Sequence, residues 1–179
     1  MSNQGVRDCN ERHGEKNVKK VISCFVIISL IVYLYILYIV LFAGDDRSMV
    51  VMSESMLDNF NYWNSINLIP FKTIAEYVTA IFDGTVRGHA IRNLCGNLLL
   101  LFPAGFYLPF FIRKMNKIGT YCVIMAAVIV IIEIVQMATK SGSLDIDDFI
   151  LNFAGAWIGF VIFTQTPIRV LLKYRIVGE

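Results

Sequence analysis

Charge is scarce in this chain. Asp, Glu, Lys and Arg make up 17% of its 179 residues, against 56% hydrophobic residues and a mean hydropathy of +0.62. A soluble domain of this size carries about a quarter charged residues, so the composition excludes that class. The net charge is only +2, and the placement of charges says more than their sum. Cysteine is missing where it would matter for secretion. Cys9 precedes the first apolar run, and Cys24, Cys95 and Cys122 lie inside apolar runs. No pair is therefore available for a disulfide framework outside the membrane. No Cys/His spacing suits a zinc site. A P-loop, a GxGxxG, a GxSxG and an internal repeat are all absent, and no cofactor is implied. The basic N-terminal stretch carries acids as well, so nucleic acid is a poor partner for it.

What the chain does have is long apolar runs, at 21–42, 93–112, 118–138 and 148–166. Each is long enough to cross a bilayer as a helix. They predict an all-α integral membrane protein with four transmembrane helices. Residues 1–20 read as a cytoplasmic N-terminal segment, 21–172 as a single transmembrane domain and 173–179 as a cytoplasmic tail. The first run is too long for a cleaved signal peptide, and Leu41 and Ala43 make a poor cleavage site. It reads as a retained signal anchor, with Tyr33, Tyr35 and Tyr38 for packing and interfacial anchoring. Pro103 and Pro109 should kink or interrupt the second run, with a neighbouring helix resatisfying the freed carbonyls. The fourth run is the least apolar and needs residues beyond Thr164 to finish its span. A re-entrant fourth segment is the alternative.

Basic residues number five before the first run, three between the second and third, and three after the fourth. Bias in short loops sets topology, and both termini cytoplasmic satisfies all three clusters. The long connection from Gly44 to Arg92 is then on the outer side. It begins acidic, and Tyr62 and Trp63 suit a headgroup layer. Thr73-Ile74-Ala75-Glu76 fits a capping box. Ile74, Tyr77, Val78, Ile81 and Phe82 recur at helical spacing, which predicts a short interfacial helix ended by Asp83-Gly84.

Polar residues inside apolar runs are costly and mark functional candidates. Asn93 and Asn97 share one side of the second helix, and Glu133 and Gln136 one side of the third. Asp145, Asp148, Asn152, Gly155 and Gly159 follow steps of three and four in the fourth. At about 1.5 Å per residue, Asn97 lies roughly 8 Å below Arg92, Glu133 roughly 10 Å below Lys140 and Asn152 roughly 6 Å below Asp148. The three stripes share the outer half of the bilayer and predict one polar pocket that opens outward. Helix packing is the simpler role for Asn93, Asn97, Asn152 and the GxxxG pair Gly155/Gly159. For Glu133, Asp145 and Asp148, recognition or catalysis stands level with structure, with His89, Arg92 or Lys140 as partners. Asp147 reads as solvated or as a helix N-terminal charge, and Asp145 as a possible N-cap.

Asn67-Leu-Ile-Pro-Phe71, Asn93-x3-Asn97 with Phe102-Pro-x-Gly105, Glu133-x2-Gln136 and Asp145-x2-Asp148-x3-Asn152-x2-Gly155 follow one another in that order. Together they resemble the VanZ-like family of small bacterial membrane proteins, over roughly Asn67 to Phe163. The resemblance implies a multi-pass protein of the bacterial cell membrane and a role in resistance to teicoplanin-type glycopeptides. Three functions stay open. One is an envelope-protection factor whose pocket engages membrane lipid, a lipid-linked cell-wall precursor or a lipoglycopeptide. Another is a membrane enzyme with Glu133 and Asp148 as acid/base or cation-binding groups and His89 as a proton shuttle. The third is a small scaffold or solute pathway. The Asn67–Phe71 turn is a candidate lid.

Overall fold

A computed structural model describes residues 3–43, 66–84, 87–139 and 143–166. The expectations about Asp45 to Asp58, Tyr62, Trp63, Lys140 and the basic tail from Arg169 lie outside the described residues. So do those about the side chains of Arg7, Arg12, Lys16 and Lys19.

Four helical stretches are long and apolar enough to cross a membrane: Lys20–Phe42, Arg87–Phe111, Ile118–Ala138 and Ile146–Gln165. The first belongs to α1, Asn3–Tyr38, which continues into a π-helical turn at Ile39–Ala43. The helix therefore starts well before the apolar run does. Its spanning part presents large apolar side chains outward, Phe25 at 72% exposure among them. That much apolar surface suits a hydrocarbon surrounding and is foreign to water-facing proteins.

The second stretch is divided. Helix α3, Arg87–Leu100, stops, the chain turns at Leu101–Pro103, and α4, Ala104–Phe111, begins. Pro103 has no N–H to continue the helical ladder. The Ala104 N–H turns to the Leu101 carbonyl, three residues back, at 3.1 Å. Its ordinary acceptor, the Leu100 carbonyl, takes the Tyr33 hydroxyl of α1 at 3.0 Å. A neighbouring helix thus covers the break. Pro109 stays inside α4, buried, and does not end it.

Helix α5 is Ile118–Ala138 and α6 is Ile146–Gln165. Thr166 is extended (φ −94°, ψ 144°), as a residue before proline prefers. Helix α6 is the hub and packs chiefly on α3 and α4, which run parallel to it. Glycine permits the approach. A Cβ on Gly155 would overlap the Leu98 carbonyl, one on Gly159 the Phe102 carbonyl, and one on Gly105 the Ala156 carbonyl. Backbone meets backbone along this seam, the close packing that small residues allow in membranes. On its other side α6 meets α5. Tyr121 stacks on Phe160 with centroids 4.2 Å apart and donates its hydroxyl to the Ala156 carbonyl at 2.8 Å. Tyr121, Met125 and Ile129, at steps of four, form the fully buried apolar face of α5.

One end of the bundle carries the rest. Strand β1, Ile66–Asn67, pairs in parallel with β2, Leu144–Asp145, matching Ile66 to Leu144 and Asn67 to Asp145. Helix α2, Lys72–Asp83, lies beside them against α3 and buries none of its residues. Gly84 closes it at φ 76°, its N–H on the Ala80 carbonyl, which is the usual glycine ending. Arg87 Nε adds a bond to the Ile81 carbonyl at 3.0 Å. The predicted capping box does not form. Phe71 occupies the N-cap position, Thr73 falls inside the first turn, and Glu76 is exposed.

Candidate functional site

Phe71 explains the local geometry at this end. Its φ of 64° is the only positive value among the described non-glycine residues. The Lys72 N–H reaches the Ile69 carbonyl at 3.4 Å, so Pro70 and Phe71 occupy the two central positions of a turn. A positive φ at the second of these is a place for glycine, and a bulky residue there is strained by about 1–3 kcal/mol. Such strain persists only where the surroundings hold it.

Asp147 does the holding. It is fully buried. Its Oδ1 accepts the Phe71 N–H at 2.6 Å and its Oδ2 the Ile74 N–H at 3.0 Å. Those N–H groups belong to the open N-terminal turn of α2, which no residue of α2 itself caps. Asp147 also sits in the first turn of α6. The carboxylate therefore lies between two helix N-termini, each with the positive end of its dipole toward it. A solvated Asp147 is thus corrected, and the N-terminal charge is confirmed for two helices instead of one.

Asp145 completes the joint. It is the N-cap of α6, accepting the Asp147 N–H on Oδ1 at 2.9 Å. The same oxygen accepts from Asn67 Nδ2 at 3.2 Å, and Oδ2 accepts the Thr73 hydroxyl at 2.7 Å. Asn67 Nδ2 also donates to Thr73 Oγ1 at 2.8 Å. Thr73, expected to cap its own helix, instead joins Asp145. The Asn67–Phe71 turn is held by the strand pairing and by two aspartates.

One turn further along, Asp148 accepts a short bond from Asn97 Nδ2, and Asn97 Nδ2 also lies 3.3 Å from Asn93 Oδ1. The seam between α3 and α6 thus brings Asn93, Asn97 and Asp148 together, whereas counted depth sets Asn97 level with Asn152, one turn deeper than Asp148. Asn152 lies a turn deeper, 3% exposed, with its Oδ1 buried and accepting no hydrogen bond from the described residues. Glu133 extends the buried stripe of α5 at 5% exposure. Gln136 donates to the Leu41 carbonyl, in the π-helical turn that follows α1, at 3.2 Å. His89 is exposed and packs by its ring on Tyr77, centroids 5.8 Å apart. Among the described residues no three His, Cys, Asp or Glu side chains converge on a metal position.

The predicted pocket was to be lined by Asn93, Asn97, Glu133, Gln136, Asp145, Asp148 and Asn152. A cavity of about 290 Å³ lies between α1, α4 and α6, lined by Phe102, Pro103 and their neighbours and by none of those seven. At the polar end, Asn93, Asn97, Asp145 and Asp148 bond to one another or to Asn67 and Thr73. Asp147 and Thr73 are the site residues that sequence reasoning missed. Their one signal is Asp147 beside an N-capping aspartate, and that signal names no distant target.

The VanZ/LLP1 family model matches residues 27–171, most of the chain, and the chain belongs to that family. No curated protein and no solved structure matches it. Membership and the four apolar helices together support a multi-pass membrane protein, and the family suggests a link to glycopeptide resistance.

Proposed function

We propose that this chain is a bacterial-envelope protein with both termini cytoplasmic that contributes to resistance against teicoplanin-type glycopeptides. It acts by engaging a lipid-linked or amphiphilic molecule at its polar end, with α2 lying in the interface there. The observation that carries this reading is the joint at Asp145 and Asp147. It fixes the start of α2 to the end of the bundle while Leu68, Ile69, Phe71, Val78 and Phe82 remain exposed. A rigid apolar edge beside Asp148, Asn97 and Asn93 offers hydrocarbon contact and hydrogen bonds side by side, the two things an amphiphile presents. The basic clusters support the orientation.

Expression in a sensitive strain, followed by inhibition assays with teicoplanin and vancomycin, tests it. Teicoplanin tolerance should rise, and Asp148→Asn should lower it again at unchanged membrane abundance. Unchanged inhibition by both drugs, with the protein well expressed in the membrane, would sink the reading. An enzymatic reading rests on Glu133, a buried carboxyl at the polar end of an otherwise apolar stripe, the setting in which acid/base groups are tuned. Turnover of a lipid-linked phosphate by purified protein, lost in Glu133→Gln, is its test.

A further inference from the structure

The seam between α3 and α6 holds a buried acceptor to which no described residue donates. We infer that the polar end takes an amphiphile whose headgroup is a primary ammonium, which donates to Asp148 and so passes the Asn97 amide on to Asn152. The inference rests on the reading that this end engages an amphiphile, and it gives the chemistry of that ligand's polar part.

That acceptor is Asn152 Oδ1, on a side chain only 3% exposed. An amide oxygen without a donor is costly inside a membrane-spanning helix, where no bulk water takes the donor's place. Its neighbours fix where it faces. Asp148, Asn152, Gly155 and Gly159 follow steps of four, three and four, so they share one side of α6. Along that side Asp148 bonds Asn97 of α3, Gly155 abuts the Leu98 carbonyl and Gly159 the Phe102 carbonyl. Asn152 therefore faces α3 as well, between the levels at which Asn97 and Leu98 make their contacts. Its Cβ is roughly 5–6 Å from that of Asp148. The Asn97 amide, carried on two rotatable bonds, thus has a charged acceptor on one side and a vacant one on the other.

The move needs the charge on Asp148 to be cancelled. Asp148 is half-buried in the first turn of α6, which a headgroup can reach. An ammonium there makes a charge-assisted bond, stronger than one from a neutral amide. It weakens the hold on Asn97, and Asn152 gains the donor it lacks. A hydroxyl donates but leaves the charge in place. A trimethylammonium cancels the charge but has no N–H, and a phosphate meets the carboxylate with like charge. Donors nearby are committed to the other aspartates: Asn67 Nδ2 and the Thr73 hydroxyl to Asp145, the Phe71 and Ile74 N–H groups to Asp147. Among the cations, Arg87 and Arg92 are exposed on α3, about a quarter turn or more from the Asn93–Asn97 stripe. His89 packs on Tyr77, and Lys72 has Glu76 one turn on. Residues 44–65, the connection into β1, carry four acids and one arginine. Hydrocarbon contact comes from Phe71, Val78 and Phe82, exposed at steps of seven and four along α2.

Native mass spectrometry of the full chain in detergent tests this, with phosphatidylethanolamine and phosphatidylcholine of the same acyl chains in equal amounts. The two lipids differ only in whether the headgroup nitrogen carries N–H or methyl groups. Phosphatidylethanolamine should be retained roughly tenfold over phosphatidylcholine, the effect of one charge-assisted bond. Asp148→Asn should bring that ratio close to one. Asn152→Leu removes the vacant acceptor and should lower the ratio to about twofold, while the melting temperature holds or rises because no orphaned group is left. Hexadecylamine should displace phosphatidylethanolamine, and hexadecyltrimethylammonium should not. Equal retention of the two lipids by the wild type overturns the inference. So does a ratio unchanged in Asn152→Leu, or a preference that hexadecylamine cannot compete away. Equal retention alongside raised teicoplanin tolerance in cells sinks the ammonium alone, whereas unchanged tolerance sinks the broader reading of this end.

Discussion

The two ends of this bundle are held together by different forces. At one end three carboxylates within a single turn, Asp145, Asp147 and Asp148, gather Asn67, Phe71, Thr73, Ile74 and Asn97 through directional bonds. At the other, rings and aliphatic side chains dominate, with Tyr107–Ser29 and Tyr121–Ala156 as bonds between helices, and a cavity remains. Hydrogen bonds in an apolar setting tolerate little misplacement, because an orphaned group costs several kcal/mol there. Dispersion contacts are individually weak and forgiving. The polar end is therefore the more tightly specified one, and the apolar end is the one that keeps a cavity.

The largest expected effect removes the seam that joins the two ends. Gly155→Leu drives a side chain into the Leu98 carbonyl, where no flexible atom can give way. A loss of about 3 kcal/mol or more is expected, read as aggregated material on size exclusion in detergent. A monodisperse variant with wild-type melting would show that the seam is looser than the backbone contact implies. Next comes Asp147→Ala. It orphans two backbone N–H groups and should cost about 3 kcal/mol. Hydrogen exchange should accelerate through α2 while α5 and α6 keep their protection. Equal loss everywhere would mean that the two ends are not separable. The smallest effect is Tyr33→Phe, which strips the Leu100 carbonyl of its donor. About 1 kcal/mol is expected, in line with interhelical bonds in membranes, seen as a small fall in melting temperature. A large fall would put the rigid element at the proline break.

Several features were legible in the residues alone. The four apolar runs, the ending at Gly84, the interruption at Pro103, the N-cap at Asp145 and the close approach at Gly155 and Gly159 all follow from local rules of helix length, capping and side-chain size. Depth along a helix can be counted, and it sets Asn97 level with Asn152; the structure pairs Asn97 with Asp148, one turn shallower. The roles of Thr73 and Asp147 were not legible. A Thr-x-x-Glu stretch satisfies a local capping rule, yet Thr73 bonds a residue 72 positions away. Gln136 shares a helix face with Glu133 in projection, but its amide donates to Leu41 in the turn that follows α1.

The sequence by itself determined that this chain belongs in a bilayer, because runs of apolar side chains of spanning length have no other favourable solvent. It also determined where the helices stop, since proline and glycine act on their own backbone. The tertiary structure alone decided which donors the aspartates accept. Asp147 reaches the Phe71 N–H across 76 residues, and that distance is closed only when β1 pairs with β2 and α2 settles against the end of the bundle. A buried carboxylate must find donors. Which donors it finds depends on which chain ends the packing brings within 3 Å, and no local pattern encodes that.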